Sequence, residues 1–178
     1  MNYEHTIPMR EAARYPAKYH PNGDFEGHEI LVQLRLPAAL GGVDNGLILT
    51  LTVLNDTGAT IATIYRRDWD AINVNKKPPT EYTNTLLADG RTAIRETVTY
   101  QTRLVSFGSD GNLFAITSWI VDKGVIVDNA IGPQELRLSG AKMRNTCYFL
   151  TSPKNGNNFL YVAASKDAMV RVLQSSEI

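Results

Sequence analysis

From His28 onward, apolar and polar positions alternate with period two. Ile30, Val32, Leu34 and Leu36 alternate with Glu29, Leu31, Gln33 and Arg35, the pattern of a half-buried strand. Gly41 to Gly46 is turn material and ends in Asn45-Gly46, a hairpin signal. Leu47, Leu49, Leu51 and Val53 then alternate with Ile48, Thr50, Thr52 and Leu54. This second strand is apolar on both faces, which predicts a central position in its sheet. Asp56-Thr57-Gly58-Ala59 interrupts it with turn chemistry. A strand over Ile61–Tyr65 and a short helix over Arg66–Ile72 are expected next. An exposed loop around Lys76-Lys77-Pro78-Pro79 follows.

Tyr82–Leu87, the turn Ala88-Asp89-Gly90 and the run from Thr92 to Val105 make a second hairpin. That run is too long for an ordinary strand, so it should bend or project beyond the body. Gly108-Ser109-Asp110-Gly111 turns the chain into a further strand over Leu113–Val121. A short helix over Ala141–Asn145, a last hairpin through Asn155-Gly156, and a C-terminal helix over Ser165–Gln174 complete the pattern. Many short strands separated by turn signals predict an all-β barrel or sandwich. Residues 1–27 carry Pro8, Pro16, Pro21 and Asn22-Gly23 without a sustained period. They read as an N-terminal extension with room for a short helix around Arg10–Arg14.

Composition narrows the classes. The chain has 178 residues, of which 43% are apolar and 20% charged, a globular balance. Lys plus Arg and Asp plus Glu both number 18, so nothing predicts a large nucleic-acid footprint. Cys147 is the single cysteine, which excludes an internal disulfide and a cysteine-based metal cluster. His5, His20 and His28 are irregularly spaced and are not read as zinc ligands. No metal or cofactor is expected. No apolar run approaches the roughly 20 residues that span a bilayer. The N-terminus lacks the plan of a signal peptide. A soluble, cytoplasmic protein is the expectation. Asn55-Asp56-Thr57 is a formal glycosylation sequon, and a chain kept out of the secretory pathway would leave it unmodified.

Asp56-Thr57-Gly58 is the one triplet with a mechanism. Each residue type has a task in an aspartic peptidase. The Asp carboxylate shares a proton with a second carboxylate and activates a water, because two carboxylates about 3 Å apart cannot both ionise. The Thr hydroxyl can bond across to the partner loop, and Gly lets the backbone approach its twin closely. No metal and no covalent intermediate are needed. The same three residue types also make a plain turn, so a generic β-barrel with a fortuitous triplet is a further reading.

The surroundings of the triplet resemble a retropepsin-type aspartic protease, the family of retroviral and retrotransposon proteases, and in particular its fungal sequences. Leu47-Ile48-Leu49-Thr50-Leu51-Thr52-Val53-Leu54-Asn55-Asp56-Thr57-Gly58-Ala59-Thr60 resembles the family's strand into Asp-Thr/Ser-Gly-Ala. Leu86-Leu87-Ala88-Asp89-Gly90-Arg91 stands where the family has its flap tip, and Ile94–Phe107 resembles the descending flap strand. Leu138-Ser139-Gly140, followed by Ala141-Lys142-Met143-Arg144-Asn145, resembles the family's step into its C-terminal helix. The chain departs from the family at Asn55 and Ser139, where apolar residues are usual. Lys123–Leu136 reads as an insertion.

The resemblance implies a closed all-β barrel with a flap hairpin and a short C-terminal helix, one lobe per chain. It spans residues 28–164, between the extension 1–27 and a tail 165–178. Asp56, Thr57 and Gly58 are the implied catalytic residues. Ala59, Ala88, Asp89 and Gly90 are the implied substrate-binding ones. There is no second Asp-Thr/Ser-Gly, so a catalytic Asp56 needs Asp56 of another copy across a two-fold axis. The expected activity is a homodimeric endopeptidase acting on extended polypeptide. The alternative is a catalytically idle dimer that binds peptides or serves assembly.

Overall fold

A computed structural model describes residues 7–86, 90–128, 136–153 and 157–175. The chain is mostly β with a few short helices. Two strands, β1 (Ala12–Tyr15) and β2 (Ala17–Tyr19), precede β3 (Phe25–Arg35) and β4 (Leu49–Leu54). β5 (Ala62–Tyr65) leads directly into α1 (Arg66–Ile72). A hairpin of β6 (Glu81–Leu86) and β7 (Thr92–Phe107) follows, then β8 (Leu113–Ala115) and β9 (Ile120–Val127). The chain ends with α2 (Ala141–Arg144), β10 (Tyr148–Thr151), β11 (Leu160–Ala163) and α3 (Lys166–Gln174).

β7 is the spine of the main sheet. Its first half pairs with β6, from Thr92 opposite Leu86 to Thr97 opposite Glu81. Its middle pairs with β9, and its end pairs with β3 and β8. The long run does not stay in one ladder; it passes from the hairpin into the body. Ile30, Val32 and Leu34 of β3 and Val98, Tyr100 and Leu104 of β7 are buried. They form the centre of the core, each aliphatic side chain contributing about 1.5–3 kcal/mol. Tyr100 lies across Gly124 of β9, where a Cβ would stand 2.8 Å from its hydroxyl.

The described ladders do not close into a barrel. The path β2-β3-β7-β9-β5 is open, and β4 hangs on β3. β4 and β5 part at the Asp56 turn, and the gap between them is bridged by one residue. Leu138 pairs with Leu54 on one side and Thr63 on the other. A full strand cannot form there, because the segment enters α2 immediately after Gly140.

Three local expectations change. The segment Arg10–Arg14 is not helical: Ala12 to Tyr15 form β1, paired with β11. Tyr15 is buried and its hydroxyl donates to the Val105 carbonyl at 2.6 Å, so tertiary contacts override a weak local preference. β4 is not central, since Thr50 and Thr52 are exposed and, among the described residues, Leu138 alone bridges its second edge. Leu113–Val121 breaks into β8 and β9 at a bend over Ile116 and Thr117, where the Thr117 hydroxyl accepts from the Leu104 amide. Lys123–Val127, the first part of the segment read as an insertion, belongs to β9. Residues 129–135 of that segment, and the turn Asn155-Gly156, lie outside the described residues.

A second sheet has the order β1-β11-β10. α3 covers it through Ala168 and Met169, which pack with Tyr161 and Ala163. Ser165 caps α3 by accepting from the Ala168 amide at 3.1 Å.

Candidate active site

The Asp56 turn begins where β4 leaves β3. The Asn55 amide still reaches the His28 carbonyl, at 2.8 Å. After it the chain closes on itself, and the Gly58 amide donates to Asp56 Oδ1 at 2.8 Å. Asp56 and Ala59 are half-buried; Thr57 and Gly58 are exposed. An acid followed two residues later by an unobstructed amide makes this turn locally, which is why the sequence alone places it.

What holds the turn from outside comes from residues 136–144. The Leu54 amide donates to the Arg137 carbonyl at 2.8 Å, and the Ser139 amide returns to the Leu54 carbonyl at 2.9 Å. The Thr63 amide donates to the Leu138 carbonyl at 3.1 Å, and the Thr63 hydroxyl accepts from the Leu138 amide at 2.7 Å. This segment is therefore threaded between the two strands that flank Asp56. Gly140 permits the approach: a Cβ there would stand 2.3 Å from the Ala62 nitrogen.

Asn55 and Ser139 meet in space beside the turn. The Ser139 hydroxyl donates to Asn55 Oδ1 at 3.4 Å, a long bond between two polar side chains. Arg144, in the last position of α2, donates to the Asp56 carbonyl through Nη1 and to the Ala59 carbonyl through Nη2, the latter at 2.8 Å. For Arg137 and Arg144 the sequence offers no signal of a place at the site beyond position, within a few residues of the apolar step into a short helix.

Gly90 has φ +82 and is exposed, as the end of a hairpin turn requires. Ala88 and Asp89, the other expected flap residues, lie outside the described residues. The hairpin beneath Gly90 exposes Tyr82, Leu86 and Ile94, at 66%, 73% and 73%. Two cations of the body meet its base, Lys123 with Glu81 at 2.7 Å and Arg66 with Glu96.

Two cavities among the described residues lie away from the turn. A cavity of about 20 Å³ between Val53, Ala62, Tyr100, Asp122, Leu138 and Met143 has room for little more than a water. Burial raises the Asp122 carboxyl above its ordinary range, against the Lys123 amide and the Lys142 charge, which lower it. A wider depression of about 480 Å³ beside α1 includes no residue of the Asp56 turn. Among the described residues no three His, Cys, Asp or Glu side chains gather as a metal site. No helix among them is long and apolar enough to cross a membrane. No protein-family model matches the chain, and no curated protein matches it.

Proposed function

We propose that this chain is one half of a retropepsin-like, homodimeric aspartic endopeptidase. Asp56 of each copy contributes one carboxyl, and the pair holds a single proton between them. The ionised member takes a proton from water, and the water attacks the scissile carbonyl. The protonated member donates to the carbonyl oxygen. The tetrahedral intermediate collapses when the leaving amine is protonated. The substrate is an extended polypeptide, held by main-chain hydrogen bonds as an added strand beneath the β6–β7 hairpin. The proposed setting is cytoplasmic.

One observation carries this reading. The Asp-Thr-Gly turn stands between two strands that part around a third segment, Arg137–Ser139, so the acid is presented from a rigid framework rather than a free loop. A fortuitous turn needs no such framework. The β6–β7 hairpin supports the reading further, since its exposed apolar side chains suit closure over a bound peptide.

The test is cleavage of an unfolded protein at mildly acidic pH, with pepstatin as inhibitor and the mass in solution measured alongside. Wild type should cleave, with a rate per chain that rises with protein concentration. Asp56→Asn should abolish cleavage and keep the fold, because Asn retains the oxygen that accepts from the Gly58 amide. A strictly monomeric protein, or turnover in Asp56→Asn, overturns the proposal. A pepstatin-binding dimer without turnover points instead to an idle peptide-binding module.

A further inference from the structure

We propose that Arg144 is the positioning residue of the Asp56 turn, and that its guanidinium fork fixes the direction of the Asp56 carboxyl. The inference rests on the endopeptidase reading for its catalytic consequence, but not for its structural one.

Within a single chain, the start of the turn is held by the Asn55 amide on the His28 carbonyl and the Asp56 amide on the Leu54 carbonyl, at 2.8 and 3.0 Å. Thr57 and Gly58 beyond it are exposed, so packing inside the chain does not fix their backbone. Further along, the Gly58 amide donates to Asp56 Oδ1. That bond uses the Asp56 side chain itself and reaches no element outside the turn. Arg144 supplies the outside constraint. Its two nitrogens take the carbonyls of Asp56 and Ala59, the residues that bracket Thr57-Gly58. One rigid, planar group thus spans the base of the turn, as no single-point donor can.

The root of this side chain is also fixed. Met143, its neighbour, is buried in the core, and the Asn145 amide closes α2 on the Ala141 carbonyl at 2.9 Å. Gly140 holds α2 against Ile61 and Ala62, with no space for a Cβ. The arm is therefore anchored to the same strand that leaves the turn. Bonds from a charged donor are the stronger kind, and these fall on half-buried carbonyls that would otherwise face partial desolvation. Arg144 touches no reacting atom; it acts through the backbone of the residue that does.

The experiment compares wild type with Arg144→Met and Arg144→Lys by two readouts. The first is the order of the Gly58 amide from nitrogen-15 relaxation, which needs no activity. Arg144→Met should lower its order parameter while β3 and β7 stay unchanged. Arg144→Lys should give an intermediate value. The second is kcat per active site, with sites counted by pepstatin titration. Arg144→Met should lose about ten- to a hundredfold in kcat with KM nearly unchanged, and Lys should recover only part. A merely structural role would reduce the number of titratable sites and leave kcat per site intact. That result overturns the positioning role, as does an unchanged Gly58 amide in a folded Arg144→Met protein. If Arg144→Met does not fold, Arg144→Lys carries both readouts. A wild type that binds pepstatin without turnover overturns the endopeptidase reading, and the relaxation data alone then decide whether Arg144 holds the turn.

Discussion

Arg137 grips Asp68 with two parallel bonds, Nε to Oδ2 at 2.7 Å and Nη2 to Oδ1 at 2.8 Å. Its guanidinium also lies 4.2 Å from the centre of the Tyr65 ring. Asp68 in turn accepts from the Tyr65 amide at 3.0 Å, closing the first turn of α1. The pair ties the segment threaded beside Asp56 to the helix that follows β5. Asp68 is nearly fully buried, and Arg137 is only 18% exposed at its side chain. Removing Arg137 leaves the buried Asp68 carboxylate with the exposed Arg67, 4.0 Å away, as a weaker partner, at a cost towards the low end of about 3–5 kcal/mol. Arg137→Met should therefore lower the urea midpoint more than the double variant Arg137→Met/Asp68→Leu does. Equal losses would mean that the pair does not brace the segment.

Gly140→Ala should be severe for a single methyl group. The Cβ would stand 2.3 Å from a backbone nitrogen and 2.7 Å from the Ile61 carbonyl carbon, neither of which is a flexible side-chain end. Relief requires the threaded segment to move away from β5. The expected loss is about 1–3 kcal/mol, read from thermal or denaturant unfolding. Gly90→Ala is a useful contrast, because no atom lies near its Cβ site and the cost there comes from its φ of +82 alone. A Gly140→Ala protein as stable as Gly90→Ala would contradict the close approach.

Asp122 predicts a pH dependence. Burial raises its carboxyl, so the folded protein holds that proton more tightly than the unfolded chain does. Stability from this group is complete below the unfolded carboxylate value of about 3.9 and is lost as pH rises through the folded one. Asp122→Asn removes the ionisation. It should raise the melting temperature near neutral pH, with the gain shrinking towards about pH 3. A gain that grows on acidification would reverse the sign and refute the assignment.

The β6–β7 hairpin should be the least protected part of the main sheet. Among the described residues β6 pairs with β7 alone, and it holds exposed and half-buried positions only. β3 has partners on both edges along its inner half, and Ile30 to Leu34 sit in the core. Native-state hydrogen exchange should therefore find the amides of Tyr82 to Leu86 opening at lower free energy than those of Ile30 to Leu34. Equal protection would mean that the hairpin is a fixed part of the body, and its use as a closing flap would fail with it.

The chain's own pattern determined the local pieces. Period-two alternation marks β3, β4 and β7, because each strand buries one face over much of its length and each side chain's face depends only on parity. The Asp56 turn is also local, made by an acid and an amide two residues apart. Tertiary structure decided the rest. Nothing in residues 10–14 shows that Ala12 to Tyr15 complete a sheet with a strand from the far end of the chain. Nothing near Asp56 shows that Leu138 parts its two strands, or that Arg144 takes its carbonyl. Those contacts join residues more than seventy positions apart, and only the folded backbone sets their distance and direction.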